Sequence, residues 1–388
     1  MNNVPLSLYV HIPWCVKKCP YCDFNSHEMP DTLPEDAYID ALILDLTSHS
    51  KNVARREVKS VFIGGGTPSL FSAKNIARLI TAIHDQLELS NNAEITIEAN
   101  PGTIDQKNFQ GFRDAGVNRI SIGVQSFANS QLQSLGRIHD AQTAIDSIHT
   151  AQQAGFENIN IDLMYALPQQ NLVDALNDVK QAVSLHPTHI SYYQLTIEPN
   201  TSFYRQPPRL PDSKVSWNIQ QAGMELLAQH GYQQYEVSAY CQADYQCIHN
   251  TNYWQFGDYL GIGAGAHQKL TQSAPDSISR CEKPKHPQQY IRYANDLKKL
   301  TETNTNVLRE EDIIFEFMLN ALRLKHGFTK QQFEYHTGYS IKIIEQALAS
   351  HQKDDLLVID GDKIYCSERG YGFLDDLLQN WLPESSAS

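Results

Sequence analysis

Cys15, Cys19 and Cys22 form a CxxxCxxC run, Cys15-Val16-Lys17-Lys18-Cys19-Pro20-Tyr21-Cys22. Thiolates this closely spaced on one loop can converge on a single soft metal centre. Zinc in a closed site wants a fourth ligand, and His27 could complete a Cys3His set. A [4Fe–4S] cluster needs no fourth: each thiolate takes one iron, and the last iron stays open to a substrate or cofactor. A second candidate is Gly64-Gly65-Gly66-Thr67-Pro68, where missing side chains let the backbone approach a ligand closely. Alone, a triple glycine is as readily a tight turn. No Gly-Lys-Ser/Thr comes after it, which excludes a phosphate loop. The third is His249-Asn250-Thr251-Asn252-Tyr253-Trp254, close to Cys241 and Cys247. It offers haem iron an axial histidine, with Tyr253 and Trp254 as flat surface for the macrocycle. By chemistry alone a histidine beside a turn is more often a capping residue, so both readings stand. The absence of CxxCH leaves covalent haem attachment unsupported.

These residues must be positioned by something, and the chain alternates β-rich and helical runs up to about residue 240. Strands are expected at Leu6–Ile12, 58–63, 94–99, 119–123, 158–163 and 188–195. Amphipathic helices fall between them at 35–47, 73–87, 105–115, 141–154 and 171–185, and a last helix at 216–230. In 73–87, for example, Ile76, Leu79, Ile80 and Ile83 recur at helical spacing. Most β-α-β steps take the length of a right-handed crossover unit. Six such strands suit a partial (β/α)6 TIM-like barrel, and less well an open doubly wound sheet. Glu98, Gln125 and Asp162 then end the third, fourth and fifth strands on the rim that holds the cysteines, the face where barrels build active sites.

Residues from about 268 to 308 are polar, with Pro275, Pro284 and Pro287, and read as a connector with a short helix. Gly261–Ala266 fits the dinucleotide fingerprint G-x-G-x-x-A, but no helix with a later acidic residue comes after it, so that reading fails. Helices at 311–325, 330–336 and 341–351 and a hairpin at 356–366 make a winged-helix-like α+β unit. Residues 301–388 hold 8 Lys+Arg against 15 Asp+Glu, which argues for a lid or docking module over DNA binding. The whole chain repeats this: 388 residues with Lys+Arg 31, Asp+Glu 44 and a net charge of −13 make nucleic acid and anionic membrane poor partners. No run approaches the ~20 apolar residues of a membrane span. Seven cysteines, an odd number, speak for metal or redox use in a reducing cytoplasm rather than for a disulfide framework.

The cysteine run, set in Tyr9-Val10-His11-Ile12-Pro13-Trp14-Cys15, resembles the signature of the radical S-adenosylmethionine (SAM) superfamily. That resemblance implies a cluster whose open iron is chelated by the amino and carboxylate groups of SAM, and whose electron cleaves SAM to methionine and a 5′-deoxyadenosyl radical. The runs YVHIPWCVKKCPYCDFNSH, FIGGGTPSL, EANPG, RISIGVQSF, LGRIH, NIDLMYALP and GIGAGAH cover nearly the whole chain. They are similar to the oxygen-independent coproporphyrinogen III oxidase-like family, most of all to its haem-chaperone branch. In that family the residues matching Tyr9, Tyr21, Gly65, Gly66, Thr67 and Glu98 line the SAM site. Gln125, Arg137 and Asp162 match further SAM contacts, which in the dehydrogenases serve a second SAM molecule; Thr196 and His267 match at weaker alignments. The run beginning at His249 is a hallmark of the haem chaperones, where it is implicated in haem binding.

Two departures from the dehydrogenases matter. They have a fourth cysteine two residues after the third, where this chain has Phe24, and a long N-terminal extension, where this chain has five residues before its first strand. The resemblance therefore implies a cytoplasmic haem chaperone that binds haem and passes it to an acceptor such as a respiratory haem protein. The alternative is oxidative decarboxylation of coproporphyrinogen III propionates. The expected parts are a radical SAM core at 1–237, a haem-motif segment and connector at 238–308, and the winged-helix-like domain at 309–388. Monomer and homodimer both remain open.

Overall fold

In the computed structural model the described residues are 4–53, 55–103, 106–273, 276–294, 296 and 305–383. β1 (Leu6–Ile12) buries Leu6, Leu8, Val10 and Ile12 against helices on one face, while Ser7, Tyr9 and His11 point the other way. It begins a parallel series with β2 (Glu57–Gly65), β3 (Glu88–Ala99), β4 (Arg119–Gln125), β5 (Asn158–Tyr165) and β6 (His189–Gln194), paired in that order. Helices Glu35–Ser50, Ala73–Gln86, Gln106–Asp114, Ala141–Gln153 and Leu172–Ser184 form the crossovers, and Ser213–Gln229 comes after β6. This is the expected (β/α)6 arrangement. Helix Ala73–Gln86 shows why the pattern was readable: Ile76, Leu79, Ile80 and Ile83 are its buried stripe, and the Ser72 side chain caps its first turn by accepting from the Asn75 backbone N–H.

The expected connector turns out to be part of the sheet. β7 (Asp258–Ile262) pairs parallel with the free edge of β1, Tyr9 opposite Gly261 and Val10 opposite Ile262. A hairpin of His267–Ser273 and Asp276–Glu282 then extends the same sheet antiparallel, with Thr305–Val307 at its edge. At the other end Ala239–Cys241 and Gln233–Glu236 complete twelve strands among the described residues. The hairpin strands alternate many polar side chains, so composition alone made them look like a loop. Pro275 and residues 297–304 of that stretch lie outside the described residues. Gly261–Ala266 leads into a strand, His267–Ser273, and not into a nucleotide-binding helix. Gly263 is needed there: at φ +107°, a Cβ would lie 2.3 Å from the backbone O of His11.

Buried ion pairs fasten this extension to the first crossovers. Lys283 Nζ lies 2.7 Å from Asp45 Oδ1 with both side chains 0% exposed, and Asp258 takes Arg56 at 2.8 Å and Lys269 at 3.2 Å. The C-terminal unit has helices Glu310–Ala321, Lys330–Thr337 and Glu345–Lys353, then the hairpin Leu357–Asp360 and Lys363–Cys366, to which Phe328–Thr329 adds a third strand. Its core, built on Phe317, Met318, Phe333 and Ile364, also takes in Phe256 and Ile278 from the sheet extension.

Candidate functional site

The chain leaves β1 directly into the cysteine loop. Trp14–Cys15 pairs with His27–Glu28, and the loop between brings Cys15, Cys19 and Cys22 over the C-terminal ends of the strands. There the three cysteines share one pocket with Tyr21, Gly65, Gly66, Thr67, Glu98, Gln125, Arg137 and Asp162. Arg137 directs Nη1 at Cys19 Sγ (3.6 Å) and holds its place with Nη2 on the Gly123 backbone O (2.7 Å) and Asn100 Oδ1 (2.9 Å). Ser26 Oγ stands 3.6 Å from Cys22 Sγ. Burial pushes the Cys15 and Cys22 thiols up, so a metal binding there must displace protons.

The glycine loop is tied to the same chain entry. The Gly66 N–H donates to Ile12 O (2.8 Å) and the Thr67 N–H to Trp14 O (2.7 Å). A Cβ on Gly66 would sit 2.6 Å from Trp14 O, so glycine is required by a backbone-on-backbone approach. Glu98 accepts from the Gly65 N–H at 3.0 Å; burial first, and the nearby Asp162 second, raise its pKa to about 8. Asp162 is also raised by burial, against hydrogen bonds from Asn160 Nδ2 (2.7 Å) and Ser121 Oγ (3.3 Å). Two half-buried carboxylates lining one cavity suit a ligand with positive charge and hydroxyl donors. Gln125 has a left-handed φ of 72° and accepts from Tyr193 Oη at 2.7 Å; such strain in a non-glycine residue concentrates at functional sites.

Several expected residues are placed elsewhere. Tyr9 is beside the pocket rather than in its lining, its hydroxyl 2.8 Å from His11 Nδ1. Thr196 lies beyond the end of β6 and is exposed. His267 is 62% exposed next to Glu282, outside this pocket. His27 turns away from the cysteines, with Nε2 3.3 Å from Asn25 Oδ1 and its ring edge-on to His286. Conversely, Asn100, Ser121, Gly123 and Tyr193 line the pocket without having been singled out. Asn100 had a legible signal, ending the same run as Glu98; its Nδ2 donates to Thr67 Oγ1 at 2.8 Å. Tyr193 and Ser121 lacked one.

The run from His249 to Trp254 is in the helix Ile248–Trp254, which closes the opposite, N-terminal end of the parallel strands. His249 is buried, its ring centroid 5.0 Å from Phe62 and 6.2 Å from Tyr9, with Nδ1 3.2 Å from Ser60 Oγ. Burial, and then the charge of Arg119, lower its pKa to about 3, so it is neutral. A neutral imidazole is a competent ligand, and this one is packed among Phe62, Tyr9 and Ser60. Tyr253 and Trp254 are half-buried: Tyr253 packs on Tyr259 with centroids 5.2 Å apart, and the Arg323 guanidinium lies 4.3 Å over the Trp254 ring. Floor and rim are linked through the interior by Asp162–Asn160 (2.7 Å), Asn160–His189 (2.6 Å), His189–Tyr235 (2.8 Å) and the Cys247 N–H on Tyr235 Oη (3.3 Å).

Residues 9–182 match the Radical SAM superfamily, and residues 308–373 the HemN C-terminal domain. A Haemophilus influenzae protein named "Heme chaperone HemW" is 47% identical over 98% of this chain and 98% of its own. The chain belongs to the HemW family. An Escherichia coli protein of the same name is 46% identical over 98% of this chain and 99% of its own. The solved coproporphyrinogen III oxidase HemN from Escherichia coli has the same fold, with a TM-score of 0.82 over 98% of this chain and 91% of that one at 24% identity. As radical SAM proteins, members of the HemW family are expected to use SAM and a [4Fe–4S] cluster, and the pocket fits both groups. A cuboidal cluster spreads its thiolates to separate iron corners, which suits three sulfurs around one cavity with Arg137 beside them. No helix among the described residues is long and apolar enough to cross a membrane.

Proposed function

We propose that this HemW-family protein binds haem and passes it to an acceptor protein, with a respiratory haem protein as the acceptor class. Cys15, Cys19 and Cys22 hold the cluster. Tyr21, Gly65, Gly66, Thr67, Glu98, Gln125, Arg137 and Asp162 hold SAM, and Tyr9 braces that pocket from the side. When bound, SAM and the cluster supply one-electron chemistry. The chain's own contribution is to set backbone N–H groups of the glycine loop, two half-buried carboxylates and the Arg137 guanidinium around the cavity. The core at 1–237, the haem segment and connector at 238–308 and the winged-helix-like domain at 309–388 divide these tasks. Free thiols that must bind a cluster need a reducing setting, which the cytoplasm provides.

The observation behind this reading is identity of 46–47% across practically the full length of proteins named heme chaperone. Phe24, 62% exposed where the dehydrogenases have their fourth cysteine, supports it over porphyrinogen decarboxylation. Titration with haem is expected to give a Soret band saturating at about one haem per chain, as for a single axially ligated site. In anaerobic incubation with coproporphyrinogen III, reductant and SAM, no protoporphyrinogen should form. Decarboxylated product with no haem retained would reverse the assignment.

A further inference from the structure

The crossover helix Leu172–Ser184 buries Ala175, Val179 and Ala182, and one carboxylate, Asp178, lies in the same stripe at 3% exposure. A buried carboxylate is costly unless donors meet it, and such a break in an apolar face points to a task elsewhere in the fold. An ion pair does not explain it, since the neighbouring charge that acts on it, Asp174, has the same sign. Burial raises its pKa to about 6, so at neutral pH it still accepts as a carboxylate. Its donors come from the turn that leaves β4. Ser126 Oγ donates to Oδ2 at 2.7 Å and the Phe127 N–H to Oδ1 at 2.7 Å. Ser126 is fully buried, and its Oγ accepts in turn from the Ala128 N–H at 3.0 Å.

The turn held in this way starts from an irregularity in the sheet. Ile122 of β4 stands opposite Ile161 of β5, but Gln125 stands opposite Leu163, so β4 carries one residue more across this stretch. Such a bulge re-aims the side chains around it. Its carbonyls are taken by side chains: Gly123 O accepts from Arg137 Nη2 at 2.7 Å, and Val124 O from His139 Nε2 at 3.2 Å. Gly123 has to be bare, because a Cβ there would lie 3.0 Å from Gln125 Nε2 and 3.1 Å from Asn100 Oδ1. The bulge ends in Gln125 at φ 72°, a conformation that persists only where the surroundings enforce it. Tyr193 Oη holds the Gln125 side chain from the pocket, and Asp178 holds the two residues after it from outside. Arg137 has a second hold on Asn100 Oδ1 at 2.9 Å, so Gln125 is the pocket residue that depends most on this turn.

We propose that Asp178 is a positioning residue for the SAM pocket: from behind the sheet's rim it fixes the bulged turn at 123–127 and so sets Gln125 toward SAM. This rests on the reading of that pocket as the SAM site. Equilibrium dialysis of SAM is run on anaerobically reconstituted wild type, Asp178→Ala, Asp178→Asn, Gln125→Ala and the double variant of Asp178→Ala with Gln125→Ala. Iron content and the urea midpoint check cluster and fold. Asp178→Ala should weaken SAM binding about tenfold, the usual scale for one lost hydrogen bond to a charged group. Asp178→Asn keeps an acceptor oxygen at the same place and should recover most of that loss. In the Gln125→Ala background, Asp178→Ala should cost little more, because two residues that act through one contact do not add. Lost stability alone would produce neither the recovery nor the missing additivity. Where Asp178→Ala does not fold, Ser126→Ala, which removes one donor only, takes its place in the same cycle. Unchanged SAM affinity in Asp178→Ala, or a loss that adds in full to that of Gln125→Ala, would overturn this proposal alone. A wild type that holds its full iron and binds no SAM would overturn the reading of the pocket as well.

Discussion

Glu98 makes SAM binding depend on pH in a direction the structure specifies. Its folded pKa of about 8 is above the ordinary 4.5, chiefly because it is buried and secondarily because Asp162 faces it. Without ligand the carboxyl therefore holds a proton at neutral pH. SAM would bring a sulfonium and an iron-bound amine, whose N–H groups need an acceptor, against this carboxylate, so its complex favours the ionised form of Glu98. Below pH 8, each pH unit then costs about 1.4 kcal/mol, or tenfold in affinity. Between pH 7.5 and pH 6 the Glu98 contribution alone should lower affinity about twenty-five-fold, on top of the proton that SAM's α-amino group must lose to reach iron, which Glu98→Gln retains. The linkage for folding has the opposite sign. The native ligand-free state binds a proton that the unfolded chain has lost, so this group's contribution to stability falls as pH rises from about 4.5 to about 8 and is level above that. Raising the pH should thus lower the ligand-free Tm through this group while enlarging the shift SAM produces. Equilibrium dialysis of SAM against anaerobically reconstituted protein, with Glu98→Gln alongside, measures the first effect. Differential scanning fluorimetry of the same samples measures the second. A flat affinity profile in wild type, or the same slope in Glu98→Gln, would refute the reasoning.

Three further outcomes are expected. Anaerobic reconstitution should load about four irons and four sulfides per chain, and Cys15→Ala, Cys19→Ala and Cys22→Ala should each lose them, while Cys366→Ala, buried in the C-terminal unit, should not. Gly66→Ala places a Cβ 2.6 Å from Trp14 O, just ahead of Cys15, so iron content and SAM binding should fall together; loss of SAM binding with full iron content would show the loop to be independent of the cysteines. Lys283→Met takes the ammonium from the fully buried Asp45 and leaves it His49 at 3.0 Å and the Tyr290 hydroxyl at 2.7 Å, so it should cost up to ~3–5 kcal/mol, read as a lower urea midpoint; an unchanged midpoint would mean that His49 takes over as the counter-charge.

Reading the sequence worked best where the relevant physics is local. The CxxxCxxC spacing confines three sulfurs to one loop whatever surrounds them. The helix stripes of 73–86 and its neighbours stem from periodicity, and the alternation of strand and helix brings Glu98, Gln125 and Asp162 to one rim. What composition misjudged was the polar stretch from about 268 to 308, read as a connector, where His267–Ser273, Asp276–Glu282 and Thr305–Val307 are strands. They join the sheet through Asp258–Ile262, whose partner β1 is far away in the chain, and the charges that look solvated, Lys269 and Lys283, are buried because Asp258 and Asp45 meet them. His267 and His249 show the same divide. Nothing within a few residues of either states which way it faces: Phe62, Ser60 and Glu94 of distant strands enclose His249, while the hairpin leaves His267 beside Glu282 and exposed. The residue types that do chemistry, and their order along the chain, belong to the sequence. Which of them share a cavity was decided by long-range strand pairing and by the charge pairs and apolar contacts it buries, because accessibility to a ligand is a property of packing and not of local spacing.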